Sequence, residues 1–124
     1  MNKRILTALL LAALPFAGSA ATPLSPRTQV EIDHLLDYIA HSDCRFNRNG
    51  SWHGMDEARD HITMKLEQLR KHGAVDSTEF FIEKAASRSS LSGKNYLVQC
   101  PGMPESTSED WLKAELDRWR RLKP

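Results

Sequence analysis

Beyond residue 24, apolar side chains recur at helical spacing along most of the chain. Ile32, Leu35, Leu36 and Ile39 stand at i, i+3, i+4 and i+7, which lays one buried stripe along a helix. Ser25-Pro26 supplies an N-cap and a proline at the first helical position, so this helix is expected to run to about Ala40. His34 and His41 fall off the stripe and read as solvated. Ala58, Ile62, Leu66 and Leu69 mark a second helix, from Gly54 or Met55 to His72, with Gly73 closing it. Asp76-Ser77-Thr78-Glu79 has the form of a capping box, Asp with Glu three residues on. It opens a third helix that carries Phe80, Phe81, Ile82 and Ala85 inward. A last helix, capped by Ser106 or Thr107, buries Leu112, Leu116 and Trp119; Glu109 and Asp110 in its first turn suit the helix dipole.

Between these helices the period changes. Cys44 to Arg48 alternates, with Cys44, Phe46 and Arg48 on one side, and Asn49-Gly50 follows. Both residues of that pair tolerate positive φ, which a type I′ turn requires. Ser51-Trp52-His53 either returns as a short strand or leads directly into the next helix. Tyr96 to Cys100 is the best strand pattern in the sequence, stopped by Pro101-Gly102. The expected fold is α+β and mostly helical, about four helices around a small antiparallel sheet, in the order helix, strand, helix, helix, strand, helix.

The N-terminus reads differently. Lys3 and Arg4 precede Ile5 to Phe16, which carries no charge, and Gly18-Ser19-Ala20 offers small residues for cleavage. That order is a secretory signal peptide. The apolar run is too short for a membrane span, which needs about 20 residues. Residues 1–20 are therefore expected to be removed, with the cut after Ala20 or Ala21, leaving residues 21–124 as one small globular domain, periplasmic or secreted, without a membrane anchor. Of 17 Lys and Arg, the leader takes two and none of the 16 acids, so the exported part is slightly acidic. That balance lacks the bulk positive potential of a nucleic-acid-binding protein.

Cys44 and Cys100 are the chain's two cysteines. In an oxidising compartment they are expected to pair, closing a loop of about 57 residues worth on the order of 4 kcal/mol. A disulfide requires Cα atoms within about 7 Å, so the start of the first strand must meet the end of the second, which favours antiparallel pairing. The alternative, a redox or nucleophilic cysteine, has no Cys-x-x-Cys spacing to support it.

Two blocks resemble a known family. Phe46-Asn47-Arg48-Asn49-Gly50 with His53, Glu57-Ala58 and His61 is similar to one block of the YfeK-like proteins. Phe81-Ile82 and the run Ala86 to Val98 resemble another, and Trp111-Leu112 is a weaker third. The resemblance implies a small secreted bacterial protein, and since the family is a domain of unknown function it implies no catalytic residues.

Candidate chemistry lies in the same blocks. His53, Glu57 and His61 have nitrogen and carboxylate groups at spacing that can share a metal ion, but the His-Glu-x-x-His signature is absent, and a helix-surface ion pair or a polar packing contact with the Asn49-Gly50 turn is the plainer reading. The stretch Ser87 to Tyr96 holds four serines, Gly93 and Lys94. Neither Gly-x-Ser-x-Gly nor Ser-x-x-Lys occurs there, and Ser92-Gly93-Lys94 has only part of a phosphate loop. Its hydroxyls can equally satisfy the backbone between helix and strand. Arg48, Arg88, Ser90, Ser92 and Lys94, with Arg45 nearby, are the candidate anion-binding set, because guanidinium groups match carboxylates and phosphates. Trp52, Trp111 and Trp119 are aromatic candidates for a glycan or partner surface, or ordinary core-rim residues. The sequence thus points to a non-enzymatic envelope module for an anionic ligand or envelope protein, with a metal- or serine-dependent hydrolase as the alternative and no cofactor expected. What separates the two is whether Arg48, His53, His61 and the serine stretch share one pocket.

Overall fold

A computed structural model describes residues 12–13 and 23–123. The expected leader, residues 1–20, lies outside them but for residues 12–13. Helix α1 (Pro26–Ala40) starts where the sequence places it: the Ser25 hydroxyl accepts from the Thr28 amide at 3.2 Å. Strands β1 (Arg45–Arg48) and β2 (Ser51–His53) follow, joined by Asn49 and Gly50 at φ 52° and 86°, the positive pair that a type I′ turn requires. Helix α2 (Met55–Lys71) runs to a cap at His72, and Gly73 turns the chain at φ 64°. In α3 (Thr78–Ala85) the cap is Ser77 rather than Asp76: its hydroxyl accepts from the Phe80 amide. With the cap at Ser77 the residue three positions on is Phe80, so the expected Asp76–Glu79 capping box does not form and a single hydroxyl caps the helix instead. Strand β3 is shorter than expected (Leu97–Gln99), and α4 (Ser108–Leu122) is capped by Thr107.

The sheet has four strands in the order β2-β1-β3-β4, all antiparallel. Strand β4 (Ser106–Thr107) is an addition the sequence pattern does not announce, since two polar residues carry no alternation. Register places Phe46 opposite both His53 and Val98. Phe46 and Val98 are buried against the helices, so His53 and Arg48 belong to that inner face too. Asn47, Trp52, Leu97 and Thr107 occupy the other face, which is open to solvent at Trp52. The Cys44–Cys100 disulfide forms, with Cα atoms 4.1 Å apart, and ties the start of β1 to the end of β3.

Ile32, Leu35, Ile39, Phe81, Ile82 and Leu112 are fully buried in one core, each side chain worth about 2 kcal/mol relative to exposure. His34 is not solvated as its position off the stripe suggested. Its ring stacks on Trp119 at 3.8 Å between centroids, and its Nε2 lies 3.2 Å from Glu115. Trp111 stacks on Tyr38 and meets Phe46 edge-on. Trp111 and Trp119 are thus core-rim residues.

Candidate functional site

The serine stretch closes on itself. The Ser89 amide donates to the Lys94 carbonyl and the Tyr96 amide to the Ser87 carbonyl, both at 2.9 Å. Ser87 Oγ donates to the Ile82 carbonyl at 2.6 Å and so satisfies the end of α3. Buried Ser89 accepts from the amides of Leu91 and Ser92. The loop is then fastened to the Asn49-Gly50 turn: Asn49 Nδ2 donates to Ser89, and Ser92 donates to Asn49 Oδ1 at 2.5 Å. These hydroxyls are engaged in backbone satisfaction and docking. Ser90 remains exposed.

The anion candidates do not all come together. Arg45 lies on the opposite sheet face from Arg48. Arg88 forms an ion pair with Glu109 at 3.2 Å, and Lys94 has no ion-pair partner among the described residues.

Arg48, His53 and His61 do meet. They line a partly open cleft between the β1–β2 hairpin, α2 and the first residue of α4, with Phe46, Ala58 and Ile62 as its apolar wall and Tyr96 and Ser108 completing it. The type I′ turn brings β2 back so that His53 faces α2, and His61 sits beside the buried stripe of that helix. Arg48 is half-buried, and its guanidinium has no hydrogen bond or ion pair among the described residues. His53 is oriented by Glu57, whose carboxylate oxygen lies 2.9 Å from Nδ1.

Behind them stands a group that sequence reading missed. Lys65 is 7% exposed. Its ammonium donates to the Arg88 carbonyl at 2.8 Å and to the Tyr96 phenol oxygen at 3.1 Å, and no carboxylate partners it among the described residues. The Tyr96 oxygen also lies 3.3 Å from His61 Nε2. An ammonium only donates, so the assignment that satisfies every atom runs Lys65 to Tyr96 to His61 Nε2, with the His61 proton on Nδ1. Burial pushes the His61 imidazole below its usual pKa, and Arg48, Lys65 and His53 push the same way against Glu57. Burial lowers Lys65, helped by Arg48. It raises the Tyr96 phenol, which Arg48 opposes. The cleft therefore sets one guanidinium, Arg48, beside an apolar floor, with the Lys65 ammonium behind Tyr96. Glu57, His61 and Lys65 stand at i, i+4 and i+8, the spacing that could have disclosed this row in the sequence.

Ser108 adds a second observation. It is 1% exposed, and its Oγ has no hydrogen-bond partner among the described residues. Buried hydroxyls are rarely left unpaired.

Among the described residues no three His, Cys, Asp or Glu side chains group closely enough to hold a metal ion. His53 faces Glu57 while His61 faces Tyr96, so the three metal candidates divide between two partners. Ser90 and Ser92 do not line the cleft. Ser108 does, but His61 is hydrogen-bonded to Tyr96 and not to it, so the cleft holds no serine–base pair among the described residues.

A family model described as a family of unknown function, DUF5329, matches residues 26–120. The chain is 36% identical over 97 residues to the uncharacterized protein YfeK of Salmonella typhimurium strain LT2, an alignment covering 76% of each chain. No solved structure matches it. Among the described residues no helix is long and apolar enough to cross a membrane.

Proposed function

Since the chain belongs to the DUF5329 family, whose function is unknown, we propose a reading from the site itself: an exported, non-enzymatic envelope protein that binds an anionic ligand at Arg48, His53 and His61. The observation that carries it is the guanidinium of Arg48, which lines the cleft without a counter-ion. Lys65, buried behind Tyr96, is a further cation without a carboxylate partner among the described residues. Desolvated cations without carboxylates are costly, and an anion entering the cleft would offset that cost while gaining charge-assisted hydrogen bonds.

Export rests on the leader pattern of residues 1–20 and on the disulfide, which persists in oxidising compartments. The partner is an anionic ligand or an envelope protein presenting one. Nucleic acid is a poor fit to a chain of balanced charge.

NMR titration with carboxylate, phosphate and sulfate tests the reading. The His53, His61 and Tyr96 resonances should move together, and Arg48→Ala should abolish the response. Resonances that stay fixed with every anion up to millimolar concentration would remove the cleft as a binding site. Export is tested by expressing the full chain in a bacterium: the mature protein should appear in the osmotic-shock fraction with Ala21 or Thr22 at its N-terminus. An intact Met1 in the cytosol would refute it.

A further inference from the structure

The cleft's shape and lining narrow the anion to a chemical class. Its cavity volume is about 20 Å3. A cavity needs roughly 10–15 Å3 on this measure to hold one water, so one or two heavy atoms fit and a ring does not. The wall is Phe46, Ala58 and Ile62, which can offer nothing to an oxygen. A tetrahedral dianion pressed into this space would leave oxygens against hydrocarbon, a costly arrangement.

The donors gather elsewhere on the lining. Arg48 presents a planar guanidinium, whose geometry matches two coplanar carboxylate oxygens. The His61 Nδ1–H is available because Nε2 is held by Tyr96. The Ser108 hydroxyl is buried, unpartnered and part of the same lining. Ser108 is also the first residue of α4, so it reaches the cleft from the positive end of that helix dipole.

Resting on the anion-binding reading, we propose that the site takes a small aliphatic carboxylate, its carboxylate on Arg48 and the Ser108 hydroxyl and a methyl-sized group against Phe46, Ala58 and Ile62. Both a free short-chain acid and the alanine end of a peptide carry that group.

Calorimetric titration of the protein purified after expression of the full chain tests this with formate, acetate, propionate, N-acetyl-alanine, benzoate and inorganic phosphate. Acetate should bind about fourfold more tightly than formate, the value of one buried carbon. Benzoate, too wide for the cavity, and phosphate should bind at least tenfold more weakly than propionate (roughly one charge-assisted hydrogen bond). N-acetyl-alanine binding at least as well as propionate identifies a chain end as the source, and propionate alone identifies a free acid. Arg48→Lys keeps the charge without the planar pair of donors and should weaken acetate about tenfold. Ser108→Ala should weaken it several-fold while the circular dichroism spectrum stays unchanged.

Phosphate binding as tightly as propionate, or formate as tightly as acetate, would overturn the carboxylate assignment and leave anion binding standing. Acetate affinity unchanged in both variants would move the ligand out of this cleft. No heat with any anion, together with unmoved His61 resonances, would end both readings.

Discussion

The ammonium of Lys65 donates a 3.1 Å hydrogen bond to the phenol oxygen of Tyr96, across 31 residues of sequence. Lys65 lies next to Leu66 on the buried side of α2, and Tyr96 enters β3. The bond therefore links the helix that carries His61 to the sheet that carries Arg48. It also fixes the His61 tautomer through the same phenol.

Removing one partner should cost more than removing the charge. In Tyr96→Phe the ammonium keeps only the Arg88 carbonyl and His61 Nε2 loses its donor, so stability should fall by about 2 kcal/mol. Lys65→Met replaces the buried charge by an apolar stem of similar length and should be close to neutral. Urea unfolding midpoints of the two variants decide this. A Lys65→Met protein that is the less stable of the two would contradict the ordering.

Glu31, 4% exposed, holds a second long-range contact. The Arg120 Nε donates to it at 2.7 Å, Thr78 donates at 2.8 Å, and Arg120 also pairs with Glu79. The Arg120 hydrogen bond pulls the Glu31 carboxyl below its reference value of 4.5, against burial. Arg120→Ala leaves a buried carboxylate with the Thr78 hydroxyl and the exposed Arg27 guanidinium at 3.7 Å, and should cost about 3 kcal/mol. The sign follows from the lowered folded pKa: this stability is complete above pH 4.5 and is lost as pH falls through the folded value. Melting curves should therefore separate wild type from variant at neutral pH and converge in acid. Equal separation at both would assign the loss to packing.

The Cys44–Cys100 bond closes a 56-residue separation. Its loss should cost about 4 kcal/mol through the unfolded chain. Thiol titration of denatured, unreduced protein should find no free thiol, and reductant should lower the urea midpoint accordingly. Two reactive thiols in protein from the native host would place the chain in a reducing compartment.

The helices were legible because their buried stripes repeat at 3.6 residues, and the hairpin because Asn49 and Gly50 are the residues a doubly positive-φ turn selects. The antiparallel contact of β1 and β3 was legible through the two cysteines. What stayed hidden depends on partners far along the chain. Lys65 and Glu31 are charged residues that no apolar pattern marks as buried, and they are buried because Tyr96, Arg88, Thr78 and Arg120 come to them. Strand β4 exists through its register with Leu97 and Val98, not through any pattern of its own. Of the candidate site, Arg48 was read as an anion ligand and His53 and His61 as metal ligands, and the three line one cleft. The serine stretch drew attention by composition, whereas the buried hydroxyl left unpaired among the described residues is that of Ser108, an ordinary first residue of a helix.

That unpaired hydroxyl gives opposite effects on stability and binding. Ser108→Ala removes a buried polar atom with no partner, so the free protein should gain about 1 kcal/mol while affinity for acetate falls. A loss of stability would mean that the hydroxyl is satisfied in solution, and its role in the cleft would go with it.

His61 provides the last test. Its folded pKa lies below 6.5, first through burial and then through Arg48, Lys65 and His53. Stability from the neutral ring is complete above 6.5 and falls as pH drops through the folded value, where the unfolded chain binds the proton more readily. A bound carboxylate reverses the preference, because it favours the imidazolium. Between about pH 7.5 and 5.5 the free protein should lose stability while acetate binds more tightly with uptake of a proton. His61→Gln should flatten both trends. Urea midpoints and calorimetry in buffers of different ionisation enthalpy measure them, and a proton uptake that persists in His61→Gln would remove His61 as the group that takes up the proton.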